Sequence, residues 1–434
     1  MNEEPSHYAL NPSSDLVKRA SKVVKSESAR KGEPKFHMTE EMRRLSTPWS
    51  VSQVRAEQIQ AIDLPAGVIL DAAAGSGVQL IALTTGLKRP GLAIELDPNI
   101  GLLCAANMQI NGDGGDLQRT MDRVLIGDGT DAENAIVAYW NSLRDAGTRA
   151  HPPIGMLHLD PARPRDAQRH EIDEMEPALG PLLKAWANHL ETGPRGPAIL
   201  LDLSPRLNED QRSLVDAVIE TTFPGIRRTW EYLSQGGGRI DRLSVWIGSL
   251  SSKEPSRCIR MGKKKIMATI EGKVAESELV SMSSPPPFGA HLTIVDPALV
   301  QSGLHEAWLD RALPENAGHS WLKLEGRRPL LISTDPLIRD DEIDAFVIAS
   351  GEIVQHRLTP PELHTIEQTA ASAARNGIGK VTLRCSIDPD EHPTLQRRLH
   401  KAMKEFEGAN GFMVDLDLER GSGSHTLYIV CKEQ

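Results

Sequence analysis

Between positions 66 and 250 the chain alternates two hydrophobic patterns. Unbroken apolar runs in GVILD, GLAIEL, RVLIGD, IGMLHLD and PAILLDLS read as strands buried on both faces. Between them, VQLIALTTGL, DPNIGLLCAANMQING, EPALGPLLKAWANHLE and NEDQRSLVDAVIETTF read as helices. Strands and helices alternating at these lengths predict a parallel sheet covered by helices on both faces. The pattern then changes: IRRTWEYLS and DRLSVWIGSL are joined by QGGGRI with no helix between them, which predicts a hairpin.

On either side of this block the organisation differs. Residues 15–45 are charged with helical spacing, and a second short helix is predicted over 50–62, after the Thr47-Pro48 breaker. Beyond Leu250, SSKEPSR and SMSSPPPF are loop-like, and AHLTIVDPALVQSGLHEAWLDRAL predicts strand, turn and helix with Asp296-Pro297 at the turn. From about Ala345 a strand, a helix, a strand, a helix and a closing hairpin predict a small α+β module. The expected division is a helical region at 1–65, an α/β domain at 66–252, a linker and small domain at 253–344, and the α+β module at 345–434.

A length of 434 residues is too great for one core, which agrees with several domains. The absence of any apolar run of about 18 residues argues against a membrane span. The N-terminal MNEEPSHYALNPSSD has no apolar segment ahead of a cleavage site, so a cytoplasmic protein is expected. The four cysteines form no C-x-x-C pair, and neither a metal site nor a disulfide framework is expected. A net charge of −10 argues against coating nucleic acid over the whole surface. One basic run, RCIRMGKKK, is open to two readings: a solvated face, or a contact to RNA phosphates.

Ligands of open α/β sheets sit at the carboxyl ends of the strands, and the chemistry-bearing residues cluster there. Asp71 ends the first strand, and Gly75 and Gly77 let the next turn approach a ligand closely. Glu95 ends the second strand, about 20 residues on, where a carboxylate can accept both ribose hydroxyls. The same geometry serves a dinucleotide. The third small residue of that fingerprint is absent, however, with Leu80 in its place, and an acid beside the turn repels a pyrophosphate but suits a sulfonium. S-Adenosylmethionine is therefore the expected cofactor, with Asp71, Ala73, Gly75, Gly77, Glu95 and Leu96 as its site. Asp128, after the third strand, is either an adenine contact or a solvated loop residue. Asp160 and Pro161 end the fourth strand, where an acid-proline turn can orient a nucleophile. Arg163 and Arg165 are candidate clamps for a phosphate or carboxylate. His158 reads as a packed core histidine in preference to a proton shuttle, and Asp202, Ser204 and Pro205 border the same site.

With those residues in hand, the chain resembles class I methyltransferases that carry a ferredoxin-like insert and a C-terminal THUMP-like domain, a prokaryotic family described as RNA methyltransferases. The resemblance rests on TPWSVSQVRA, DAAAGSG, DPAR, LSPRL and VDPALVQSGLHEAWL, with GEIVQHRLTPPELHTIEQTA and KVTLRCSIDPDEHPTLQRRL resembling the THUMP-like part. It implies a Rossmann-like α/β sheet of the class I methyltransferase type closed by an antiparallel hairpin. It also implies donor binding by Asp71, Gly75, Gly77, Glu95 and Asp128, with Asp160, Pro161 and Arg163 facing the acceptor as the catalytic set. The sequence departs from the family at Leu201, Asp202 and Leu203, where a lysine is usual, and at Pro164, where a second arginine is usual. Arg163 stands where amine methyltransferases tend to place an aromatic, so amine methylation is not expected. The expected acceptor is a nucleotide in structured RNA, tRNA foremost. The alternatives are a protein or small-molecule acceptor, favoured by the acidic charge and 4% aromatic content, and a non-catalytic RNA-binding scaffold.

Overall fold

The computed structural model describes residues 6–112, 120–161, 172–276, 279–322, 329–420 and 423–434. The chain divides into two compact units, the first formed by 1–231, 242–255 and 263–265, the second by the rest.

The first unit begins with β1 (Tyr8–Leu10), α1 (Ser14–Val23), β2 (Ser26–Ser28), β3 (Lys35–His37), α2 (Glu40–Leu45) and α3 (Trp49–Gln60). The alternating core follows as β4 (Val68–Asp71), α4 (Val78–Leu87), β5 (Gly91–Glu95), α5 (Pro98–Asn111), β6 (Arg123–Ile126), α6 (Ala132–Asp145), β7 (Ile154–Leu159), α7 (Leu179–Trp186), β8 (Thr192–Gly193), β9 (Gly196–Leu203) and α8 (Glu209–Thr222). The hairpin strands are β10 (Arg228–Ser234) and β11 (Arg242–Gly248). Across the sheet the order is β1-β6-β5-β4-β7-β9-β11-β10. The strands from β6 to β9 run parallel, whereas β11 inserts antiparallel against β9. Val68, Ile69 and Leu70 of the central strand are fully buried, as a strand covered on both faces requires. α4 is apolar all round and correspondingly buried from Val78 to Thr84, with α3 packed on it. The helix starts are written in the sequence: Asp97 caps α5 ahead of Pro98, and Asn208 with Gln211 forms a capping box on α8.

Three features depart from the sequence expectation. The helical stretch expected over 15–45 is interrupted by the β2–β3 hairpin, because Val24 leaves the helix in extended conformation and Gly32 and Pro34 disfavour its resumption. β1 adds an antiparallel edge strand to β6, with Tyr8 opposite Ile126. α6, capped by Asp131, stands where no helix is expected from the sequence pattern.

The second unit contains the hairpin of β12 (Ser256–Met261) and β13 (Ile266–Gly272), then β14 (Leu279–Val280), β15 (His291–Val295), α9 (Pro297–Gln301), α10 (His305–Ala312), β16 (His319–Leu322), β17 (Leu330–Ser333) and α11 (Asp341–Ala345). It continues with β18 (Val347–Leu358), α12 (Ile366–Arg375), β19 (Ile378–Leu383), α13 (His392–Ala402), β20 (Ala409–Arg420) and β21 (Gly423–Glu433). Eight of these strands form one sheet, β14-β16-β17-β15-β18-β21-β20-β19. One apolar cluster joins Leu292 and Ile353 to Phe412 and Ile429; a second packs Ile366 and Ala370 of α12 and Leu395 and Leu399 of α13 against Val381 and Met413. The basic run separates by role: Arg257 pairs with Glu271, Arg260 donates to the carbonyls of Ala345 and Ser234, and Lys263, Lys264 and Lys265 are exposed. No helix among the described residues is long and apolar enough to cross a membrane, and no group of them could hold a metal ion.

Candidate active site

The register of the parallel strands assembles the site. Asp71 on β4 is paired with His158 on β7, and Leu159 with Leu201 on β9, so side chains two residues apart share a face across three strands. Asp71, His158 and Asp202 meet there, all buried. His158 Nδ1 lies 2.9 Å from Asp71 Oδ2, and Nε2 lies 3.3 Å from Asp202 Oδ2. Behind Asp202, Arg55 from α3 donates to both carboxylate oxygens at 2.5 and 2.6 Å. Ser244, opposite Asp202 on β11, donates to Asp202 Oδ1 at 2.8 Å and accepts from Arg55. Gln79 Oε1 accepts from Arg55 at 3.3 Å.

Burial alone would strip the proton from His158, but Asp71 and Asp202 outweigh it and its pKa is pushed up to about 10. Burial likewise opposes the Asp202 charge, yet Arg55 and His158 hold that carboxyl below the usual range. Asp160 follows His158 by two residues at the end of β7. Loss of hydration beside the buried cluster and the Asp202 carboxylate raise its pKa above the usual carboxylate range. Asp160 itself is exposed at the strand end, so the neighbouring Asp202 charge is what sets it apart from an ordinary surface carboxylate.

The glycine loop leaves β4 beside this network. Asp71 Oδ1 accepts from the Ala73 N–H at 3.3 Å. Gly75 and Gly77 both take positive φ, 53° and 76°. A Cβ at Gly75 would enter open space, whereas one at Gly77 would stand 2.8 Å from Cys104 Sγ. Gly77 also starts α4, and no side chain caps that helix's first turn. Glu95 reaches over from β5: Oε2 accepts from the Gly75 N–H and Oε1 from the Asp97 N–H, each at 3.0 Å. Its pKa is raised by burial in spite of those bonds. Next to it Leu96 is 73% exposed, an apolar side chain held out at the strand end.

Asp128 is exposed, and its Oδ1 accepts from the backbone and hydroxyl of Thr130, both at 2.8 Å. Its carbonyl accepts from His7 Nε2 at 3.0 Å, so the segment before β1 pins this loop. Pro161 is described, but Arg163 and Arg165 lie outside the described residues. Arg55 escapes a reading of the sequence that looks only at strand ends. Its signal is nevertheless there: it falls on the stripe of Val51 and Ile59, where an arginine needs an internal partner.

No protein-family profile matches the chain, and no curated protein matches it. Among solved structures it is similar to one from Porphyromonas gingivalis W83 assigned as a methyltransferase, at 15% identity and a TM-score of 0.54, over 96% of this chain and 88% of that one. It is also similar to a structure from Listeria monocytogenes assigned as a class I S-adenosylmethionine-dependent methyltransferase, at 14% identity and a TM-score of 0.33, over 53% of this chain and 67% of that one. An O-methyltransferase from Bacillus cereus in complex with SAH aligns at 14% identity and a TM-score of 0.30, over 55% of this chain and 93% of that one. Together with the inserted antiparallel β11, the first of these likenesses defines the fold: the first unit is a Rossmann-like sheet of the class I methyltransferase type.

Proposed function

We propose that the protein is a methyltransferase that takes its methyl group from S-adenosylmethionine and delivers it to a nucleotide in structured RNA, tRNA foremost. The observation that carries the donor half is the Gly75–Glu95 contact: a half-buried carboxylate stands over a glycine turn whose open side has room for a ligand. Glu95 accepts the ribose hydroxyls, Gly75 and Gly77 admit the nucleoside, Ala73 and Leu96 line it, and the Asp128 loop borders the adenine. Asp71 holds the loop from beneath. The bound donor supplies a methyl carbon on a positive sulfur.

Asp160 and Pro161 orient the acceptor, with Arg163 as a clamp on its phosphate or carboxylate. With the donor bound, the acceptor would take the methyl carbon while the electron pair of the broken carbon–sulfur bond stays on sulfur, and Asp160, made more basic by the neighbouring Asp202 charge, would take the proton the acceptor loses. The RNA half is supported by the second unit, where Arg397 and Lys401 lie exposed four residues apart on α13. The modular reading, ferredoxin-like at 253–344 and THUMP-like at 345–434, and a cytoplasmic setting belong to the same proposal.

Calorimetry tests the donor half: S-adenosylhomocysteine binds the wild type and binds Glu95→Ala roughly thirtyfold more weakly, and no binding to the wild type at millimolar ligand ends the reading. Methyl incorporation from labelled donor into RNA, protein and metabolite fractions tests the acceptor. Label entering only protein, or only small molecules, refutes the RNA half alone.

A further inference from the structure

The two ring nitrogens of His158 both face carboxylate oxygens, Asp71 Oδ2 at 2.9 Å and Asp202 Oδ2 at 3.3 Å. A neutral imidazole offers one N–H and one lone pair, and a lone pair aimed at a carboxylate oxygen repels it. The geometry is satisfied only if both nitrogens carry protons or if one of the acids does. Asp202 is not that acid: its oxygens accept two guanidinium N–H groups and the Ser244 hydroxyl, which leaves a carboxyl proton no stable place. On the other side, Asp71 Oδ1 accepts from the Ala73 N–H and Oδ2 faces the ring nitrogen; imidazole is the stronger base of the two, so the proton shared there rests on the ring and not on Asp71. Among the described residues, the other charged groups bearing on this cluster are Asp160 at the end of its own strand, Arg55 from α3 behind Asp202, and Glu231 and Arg242 beyond them.

We infer that His158 is a standing imidazolium, locked between Asp71 and Asp202, that acts as the positioning residue of the donor loop. Its N–H fixes the rotation of the Asp71 carboxylate, and the other oxygen of that carboxylate fixes Ala73, from which the turn to Gly77 departs. The chain of contacts runs from Arg55 through Asp202, His158 and Asp71 to the loop backbone, so a helix outside the sheet sets the shape of the turn. Asp71 is consequently neutralised by the ring and serves as an anchor, leaving Glu95 as the acid that faces the ligand. In its bearing on ligand binding, the inference rests on the donor reading above.

Histidine-selective ¹⁵N labelling of the full chain tests it. One histidine, whose signal is lost in His158→Gln, shows both ring nitrogens protonated and slow to exchange from pH 6 to pH 9. A neutral tautomer at pH 7.5 overturns the inference. In His158→Gln, amide hydrogen exchange over 72–77 accelerates at least tenfold relative to α8, and affinity for S-adenosylhomocysteine falls at least tenfold. A lowered melting temperature with loop exchange and affinity unchanged makes His158 merely structural and also overturns it. If His158→Gln does not fold, Asp71→Asn replaces it; the same imidazolium signal then shifts and loop exchange rises, while an unmoved signal refutes the inference. A wild type that binds no S-adenosylhomocysteine defeats the donor reading, while the ring signals and the loop exchange still decide this one.

Discussion

At the scale of single residues the two loop glycines separate stability from binding. Gly75 faces open space with φ 53°, so Gly75→Ala costs only the left-handed backbone, about 1 kcal/mol. The added methyl group, however, stands where the ligand is proposed to lie. Gly77→Ala carries the same backbone cost and brings its methyl group to 2.8 Å from the buried Cys104 sulfur. Urea unfolding is expected to show the larger loss for Gly77→Ala, by about 1 kcal/mol or more, whereas calorimetry is expected to show the loss of S-adenosylhomocysteine binding already in Gly75→Ala. Equal stability losses would contradict a crowded position 77 against Cys104. Glu95→Ala is expected to remove the proposed charge-assisted hydrogen bonds to the ribose, worth about 2 kcal/mol, a fall in affinity of roughly thirtyfold. The acid and the glycines are legible in the sequence because the chemistry of a strand-end site restricts residue type at fixed spacing. Asp128 is ambiguous there because an exposed acid after a strand serves equally well to close its own turn, as it does with Thr130.

At the scale of elements, the sheet from β4 to β11 can be read from the chain because strands buried on both faces are unbroken apolar runs, and α7 and α8 keep a 3.6-residue period, whereas α4 is apolar all round and α6 has no counterpart in the sequence pattern. What stays hidden depends on partners distant in sequence. The pairing of β1 with β6 leaves no periodic trace, and Arg55 marks the buried stripe of α3 without naming Asp202 as its partner. Arg55→Met tests that docking: it leaves Asp202 buried beside one cation fewer, and the expected loss is about 3 to 5 kcal/mol. Arg55→Met combined with Asp202→Leu removes both charges, and is expected to recover part of that loss by urea unfolding. The same network sets a pH window. Asp202 is held below its usual range, so its contribution is present above the unfolded value of about 3.9 and fades as pH falls through the folded one. His158 is raised to about 10, so its contribution is complete below the unfolded value of about 6.5 and is lost as pH climbs toward 10. Stability should therefore decline above pH 6.5 with a slope of up to about 1.4 kcal/mol per pH unit. His158→Gln should flatten that slope, and an unchanged slope in the variant would assign the decline to other groups.

At the scale of the whole molecule, a net charge of −10 means that an RNA acceptor has to be met by a local basic surface against an overall repulsion. On α13, Arg398 is paired with Glu367 at 2.8 Å, while Arg397 turns back to the Pro393 carbonyl with its residue exposed and Lys401 is exposed one turn further on. Two such cations lie within reach of one phosphate backbone, since residues four apart on a helix share a face. Reversing both, as Arg397→Glu with Lys401→Glu, should raise KM for RNA methylation and leave affinity for S-adenosylhomocysteine as it was. Every phosphate deprived of its cation should reduce the slope of log affinity against log salt by about 1, so the double variant should bind RNA with a salt dependence shallower by about 2. A fall in RNA affinity with the salt slope unchanged would mean that the substitutions act through folding of the second unit rather than through the phosphates. An unchanged KM would remove α13 from the acceptor surface and leave the exposed Lys263, Lys264 and Lys265 as the phosphate contact, where the corresponding charge reversal is the next discriminating variant.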